Sequence, residues 1–579
     1  MLRGPEARLR LIVALLIAAL TPVLGQLVRL QVLEHQHHRD QVERLVRRNY
    51  TLPDPPWGAI LDCHGNLLVG SVPIYDVGVE VNLVTDTVKA AQELAPILGH
   101  SVEALTAALT LPPDTEELVW RPLANDISAQ QAEALLARNW RWLTLTPEWK
   151  RSYPEGGLAA HTLGFVNREG MGYGVQAGQV RFLQGESVKR FGAVNGDTSP
   201  MPYELLGDGM IPYPGTDLRL TLDRTIQAYI EGALDRALTE YQAEGGTILV
   251  MDPRTGALIA LASRPTYEPA RYADYAAEGQ DQLFQDPAIS LAYEPGSVFK
   301  IVTAAAALDS GQVDLNWSYH DAGQIEYGGV KIRNSNGAAY AQQDLEGVLA
   351  HSLNVGAAML STRVMGAEDF YAYVRAFGFG RPTGVEVTGE AKGTVHLPTD
   401  WDWADSYLAT NSFGQGIAVT PLQMATAVAA VANDGVMMQP HLIAERIYAD
   451  GRQVEIPPRP LGEPMSASSA RQLTELLARA VEREMTAALV PGYRIAGKSG
   501  TAQIPTSGGY DREDVITSFV GYGPVSDPQV LILVKLDRPG VAPALRWGTQ
   551  TAAPVFSEVA ARVFVLLDIP PAELQATTN

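Results

Sequence analysis

Tyr293-Glu-Pro-Gly-Ser-Val-Phe-Lys300 (YEPGSVFK) is the stretch on which the reading of this chain turns. Ser297 is the only serine that stands three residues before a lysine. On a helix, positions i and i+3 share a face, so the hydroxyl and the amine can meet. Pro295 suits a helix start and Gly296 allows close backbone approach, which puts Ser297 near an N-terminus. A serine nucleophile with a lysine base is built in this way, provided burial and nearby cations lower the affinity of the amine for its proton. Taken alone, the spacing is weak, because an exposed serine and lysine on one helix face gives the same pattern.

Two further singletons lie downstream. Ser352-Leu353-Asn354 is the only Ser-x-Asn in the chain, and Lys498-Ser499-Gly500 the only Lys-Ser/Thr-Gly. The order Ser-x-x-Lys, Ser-x-Asn, Lys-Ser-Gly is the motif set of penicillin-binding proteins and β-lactamases. The flanking stretches LTLDRTIQ, VMDPRTGALIALASRPTYEP, NSFGQGIAVTPLQMATAVAAVANDG, GKSGTAQ and SFVGYGP sharpen this. With them the chain resembles the class B penicillin-binding proteins, monofunctional D,D-transpeptidases of peptidoglycan synthesis. Upstream, Arg151-Ser152-Tyr153-Pro154 and His161-x-Leu163-Gly164-Phe165-Val166 resemble motifs of that family's pedestal. The stretch PPWGAILDCHG matches another pedestal motif only in part. The family usually carries Arg where Trp57 and Cys63 stand, and Glu where Gln176 stands.

The resemblance implies a set of roles. Ser297 attacks the carbonyl of a D-Ala-D-Ala terminus and Lys300 is the favoured base. Ser352 relays a proton to the leaving amine, and Asn354 orients the substrate amide and Lys300. Lys498 meets the terminal carboxylate, with Ser499, Gly500 and Thr501 completing the substrate-binding strand. Backbone N–H groups of Ser297 and Thr501 form the oxyanion hole. Glu294, Tyr293 and Gln415 are read as structural. The implied ligands are peptidoglycan stem peptides and β-lactams. The implied partner is a polytopic lipid II polymerase in the cytoplasmic membrane. No metal or cofactor is expected.

Composition and charge agree. The chain has 579 residues, of which 46% are hydrophobic, enough for several packed cores. Its formal charge of −21 disfavours sequence-independent nucleic-acid binding, which rests on cations. The single cysteine, Cys63, excludes any intrachain disulfide and any cysteine-based zinc site. Leu11–Val28 carries no charge and, with the apolar character that continues to Leu33, reads as an uncleaved membrane anchor. Arg3, Arg8 and Arg10 leave the N-terminus cytoplasmic and the body outside the bacterial cell membrane.

Along the body, 34–50 reads as a polar helix whose His35, His37 and His38 face solvent. Short strands and turns follow Pro53–Gly58, with helices near Thr87–Leu98 and Ala129–Ala137. The Gly/Pro/Asp-rich stretch 186–215 reads as a linker or long hairpin. Beyond it come an Asp223-capped helix, a β-hairpin around Asp252–Gly256, a helical stretch, three apolar runs and a closing helix. Strands at both ends of this unit with helices between them predict an α+β fold on one antiparallel sheet. The expected division is 1–10 cytoplasmic, 11–33 anchor, 34–210 pedestal, 211–567 transpeptidase domain and 568–579 tail. The alternatives to a transpeptidase are a D,D-carboxypeptidase and a catalytically idle scaffold that activates a polymerase.

Overall fold

The computed structural model describes residues 5–29, 47–51, 55–111, 119–167, 169–185, 189–193, 213–506 and 509–571. The chain forms two compact units. One comprises 1–56, 73–150 and 185–214, and the other 57–72, 151–184 and 215–579.

In the first unit, Ile74–Glu80 pairs antiparallel with Trp120–Ser128, and the helices Thr87–Leu98, Val102–Leu109 and Ala129–Leu136 join them. Val77, Val79, Leu94, Leu105, Ile127 and Leu135 close its core. Each helix begins on a side-chain cap: Asp86 accepts from Lys89 N–H, Ser101 from Ala104 N–H, and Ser128 forms a capping box with Gln131. The expected polar helix over 34–50 fails at its end. Arg47–Thr51 is a strand, paired with Lys189–Ala193, so backbone pairing to a distant segment overrides local helical character. The rest of that expectation, with His35, His37 and His38, lies outside the described residues, as do 1–4, 30–33 and 194–212. Pro5–Val28 is helical, its apolar run broken by Thr21, Pro22 and Gln26. Among the described residues no helix is long and apolar enough to cross a membrane.

The second unit is built on a five-stranded antiparallel sheet. Its elements in chain order are α1 (Arg224–Tyr241), β1 (Gly245–Met251), β2 (Leu258–Arg264), α2 (Lys300–Asp309), α3 (Pro421–Ala432), α4 (Ala467–Glu484), β3 (Ala496–Thr506), β4 (Gly509–Gly523), β5 (Val530–Asp537) and α5 (Ala552–Leu566). The sheet order is β2-β1-β5-β4-β3, so the hairpin β1–β2 is completed by the C-terminal strands, as the α+β reading expects. Asp223 caps α1 by accepting from the N–H groups of Thr225 and Ile226. Strands β1 and β5 are buried almost throughout and read as continuous apolar runs, with α1 and α5 against them. Helix α2 is buried from Lys300 to Leu308, among α3, α4 and the helix Gly366–Ala376. A helix apolar all round belongs in the middle of a core, and its first residue carries the only charge it brings there.

Further strands pair within the same unit. Ile60–Leu61 runs parallel to Asp217–Leu220, which pairs with Ile443–Ile447. Gly58 N–H donates to Leu183 O at 2.8 Å, and Thr216 N–H to Phe182 O at 2.8 Å. These backbone bonds gather 57–72 and 151–184 into the unit that holds 215–579. The compact units therefore cut the chain elsewhere than at residue 210.

Candidate active site

The serine sits on a 3₁₀ turn, Gly296–Phe299, that leads into α2. Side chains at i and i+3 eclipse in a 3₁₀ turn, which brings Ser297 and Lys300 together more directly than an α-helix does. Gly296 has φ +58°, and a Cβ there would stand 3.1 Å from Thr501 O on the facing strand. The positive φ favours glycine there, and the close approach leaves a side chain little room.

The Lys300 side chain is the hub. It donates to Ser297 Oγ at 2.9 Å, Ser352 O at 2.7 Å, Ser352 Oγ at 3.2 Å and Asn354 Oδ1 at 2.8 Å. Ser352 lies between the helices Leu345–Ala350 and Asn354–Met359 and has φ +56°, a left-handed conformation uncommon outside glycine. That kink lets both the carbonyl and the hydroxyl of one residue face the same amine. Asn354 Nδ2 donates to Arg333 O at 3.0 Å, which fixes its carbonyl oxygen toward Lys300.

Lys498 lies on β3, fully buried, and donates to Ser499 O at 3.0 Å. Burial brings its amine down to about 7. Burial, and then the nearby Lys498 ammonium, hold Lys300 well below the ordinary lysine range. Two cations in one dry site make the amine of Lys300 available in its neutral form. Gly500 is sterically demanded, since a Cβ would fall 2.5 Å from Ser518 Oγ and 3.1 Å from Pro295 O. Thr501 Oγ1 accepts from Gly548 N–H at 3.0 Å.

A cleft of about 740 Å³ opens over this arrangement. Ser297, Ser352, Asn354, Ser499 and Thr501 line it, whereas the side chains of Lys300 and Lys498 are buried beside it. All eight residues singled out in sequence thus come to one place, Gly500 as packing rather than lining. Gln415, read as structural, lines the cleft. Glu294 keeps its structural place: its carboxylate accepts from Gly416 N–H at 3.0 Å and Tyr510 Oη at 3.2 Å, and burial raises its affinity for a proton. Sequence reasoning missed Arg333, Tyr340, His351, Glu484, Arg546 and Trp547, which also line the cleft. None sits in a motif, and only His351, next to Ser352, had a neighbour to give it away.

In the pedestal stretch, Gln176 faces Arg151 rather than residue 57 or 63. Arg151 Nε donates to Gln176 Oε1 at 2.8 Å, and Gln176 Nε2 to Gly164 O at 2.6 Å. The Trp57 ring lies under the Arg151 guanidinium, 5.9 Å from centroid to Cζ. Burial pulls Arg151 down to about 10.

A buried lysine fanned over two serines and an asparagine, beside a second buried lysine on an edge strand, defines a serine acyltransferase of the penicillin-recognising kind. The penicillin binding protein transpeptidase domain matches residues 246–561, and the penicillin-binding protein dimerisation domain 53–187. The chain belongs to the class B penicillin-binding proteins. It is 31% identical over 513 residues to stage V sporulation protein D of Bacillus subtilis, covering 87% of this chain and 77% of that one. It is 29% identical over 579 residues to the probable peptidoglycan D,D-transpeptidase PbpC of Pseudomonas aeruginosa, covering 98% and 96%. Among solved structures, penicillin-binding protein 3 from Mycobacterium tuberculosis in complex with aztreonam superposes with a TM-score of 0.68 at 27% identity, covering 90% and 98%.

Proposed function

We infer that this chain is a peptidoglycan D,D-transpeptidase that β-lactams acylate at the same serine. The observation that carries the reading is the convergence of Ser297, Ser352 and Asn354 on one buried amine whose charge is disfavoured. In the first step, Lys300 Nζ, neutral, takes the proton of Ser297 Oγ as the oxygen bonds to the carbonyl carbon of the penultimate D-Ala. The Ser297 and Thr501 N–H groups receive the charge that develops on the carbonyl oxygen. The C–N bond then breaks as Lys300 gives its proton to Ser352 Oγ while the Ser352 hydroxyl proton passes to the leaving amine, and D-Ala departs. The amine of a second stem peptide attacks the ester, and Ser297 recovers its proton. Lys498, Ser499 and Thr501 hold the terminal carboxylate, and Asn354 the peptide amide. The same geometry takes a β-lactam, whose ring amide stands in for the D-Ala-D-Ala bond.

The stretch 11–33 serves as the anchor in the bacterial cell membrane, the arginines before it holding the N-terminus in the cytoplasm and leaving the catalytic body outside. The residues 34–210 serve as a pedestal, 211–567 as the transpeptidase domain, and a polytopic lipid II polymerase is the membrane partner. Reconstitution with lipid II and such a polymerase tests the reading. D-Ala release together with cross-linked product is expected, and Ser297→Ala should leave only uncross-linked polymer. D-Ala release without cross-links would instead make the protein a carboxypeptidase. Cross-links made by Ser297→Ala would remove the nucleophile.

A further inference from the structure

We propose that Cys63, His64 and Asp223 form a three-ligand site for a zinc-class divalent ion, with the remaining coordination position open to water. One sulfur, one ring nitrogen and one carboxylate oxygen from these residues lie within 4.8 Å of one another. His64 Nε2 and Asp223 Oδ2 are 3.0 Å apart. A tetrahedral ion with bonds of about 2.0–2.2 Å to nitrogen and oxygen holds such ligands roughly 3.4 Å apart. These two atoms therefore need to part by only a few tenths of an ångström, and the Cys63 sulfur, within 4.8 Å of both, has to draw in by about an ångström.

The two segments are fixed independently of any ion. Cys63 N–H donates to Leu222 O at 3.0 Å, which sets the cysteine beside Asp223. The fully buried Asp62 carboxylate accepts from His64 N–H at 2.9 Å and from Asn66 N–H at 2.7 Å, freezing the turn that presents the pair. Asp223 divides its two oxygens. Oδ1 accepts from Thr225 N–H at 2.7 Å and Ile226 N–H at 2.9 Å, which leaves Oδ2 turned toward His64. Such outer bonds hold metal-binding side chains in place. The site is reachable, because the His64 side chain is 66% exposed while that of Asp223 is 10% exposed.

The donor set selects the ion. Calcium and magnesium want oxygen ligands, whereas sulfur, imidazole and carboxylate together suit zinc. Three protein ligands plus water is the arrangement of a site with one position open. Binding sends the thiol proton to solvent. Counting cysteines along the sequence excludes such a site; its histidine and aspartate stand 159 residues apart, and only the fold joins them to the cysteine.

The test uses the full chain in detergent with Co²⁺ as the probe. One equivalent of Co²⁺ should give a thiolate-to-cobalt charge-transfer band that Zn²⁺ displaces and that Cys63→Ser lacks. His64→Ala should weaken Zn²⁺ by at least about tenfold, the size that loss of even an outer-shell partner produces. Zn²⁺ should raise the melting temperature of the wild type and leave that of Cys63→Ser where it was. Asp223→Asn is avoided, because Asp223 also caps α1, and labelling of each variant by a fluorescent penicillin certifies its fold. No band in the wild type would overturn the site. A band and an affinity that His64→Ala leaves untouched would also overturn it, reducing the feature to a lone thiol beside a braced helix cap.

Discussion

Replacing Lys498 by Arg separates the charge of this residue from its titration. Lys498 is fully buried and makes no ion pair among the described residues, so desolvation acts on it without compensation and brings it to about 7. Its proposed work, holding a carboxylate, needs the ammonium form. The charged fraction is half at pH 7, about a tenth at pH 8 and about a hundredth at pH 9. The second-order rate constant for acylation reports the free enzyme, so above pH 7 it should fall roughly tenfold per pH unit. Lys300, held well below the ordinary lysine range by burial and then by that neighbouring cation, supplies the acid limb as its amine gains a proton. Arginine stays charged throughout, so Lys498→Arg should lose rate overall, its fork fitting a point-cation site poorly, and should lose the alkaline limb with it. Lys498→Ala should be slow at every pH. The assay is the initial rate of labelling by a fluorescent penicillin well below saturation, from pH 5.5 to 9.5. A wild-type rate flat from pH 7 to 9, or an alkaline limb that survives in Lys498→Arg, would refute the assignment.

Four other outcomes follow from the same geometry. Because the folded-state pKa of Lys498 lies below its unfolded value, its burial is most destabilising below about pH 7 and is relieved as pH rises toward 10.5. Lys498→Met should therefore stabilise the fold by up to ~4–5 kcal/mol at pH 6, with the advantage shrinking by pH 9.5, read by guanidinium unfolding; an advantage independent of pH would contradict this. Gly500→Ala should cost ~1–3 kcal/mol and slow acylation, because its Cβ falls on Ser518 Oγ and Pro295 O; a wild-type melting temperature and rate would argue against the close approach. Gln176→Leu should cost ~3 kcal/mol by stripping an acceptor from the buried Arg151 guanidinium, measured by denaturant unfolding. In double-mutant cycles Trp57→Arg should couple to Gln176→Glu by ~0.5–3 kcal/mol through Arg151, whereas Cys63→Arg should add simply.

What could be read in the sequence was what is local. Ser297 and Lys300 meet because they stand three positions apart on one turn, and the Asp223 cap, the 245–264 hairpin and the helices of the first unit are also short-range. The other partners of Lys300 lie 52 and 54 residues away, and motif resemblance rather than periodicity brought them in. Pairing between distant strands stayed hidden: Arg47–Thr51 looked helical until its partner Lys189–Ala193 was in view. The same holds for Ile60–Leu61 beside Asp217–Leu220, which draws a pedestal-like segment into the catalytic unit. The left-handed backbone of Ser352 carries no glycine to announce it. Arg333, Glu484 and Arg546 reach the cleft from separate elements, and no spacing rule links them.

The central claim is that Ser297 is the nucleophile and that the Lys300 hub activates it. Intact-mass measurement of the full chain after incubation with benzylpenicillin tests it most directly. Wild type should gain the mass of one penicilloyl group, mapped by peptide digestion to the segment containing Ser297. Ser297→Ala should gain nothing, and Lys300→Ala should acquire the adduct orders of magnitude more slowly. A covalent adduct on Ser297→Ala, or wild-type acylation by Lys300→Ala, would contradict the account.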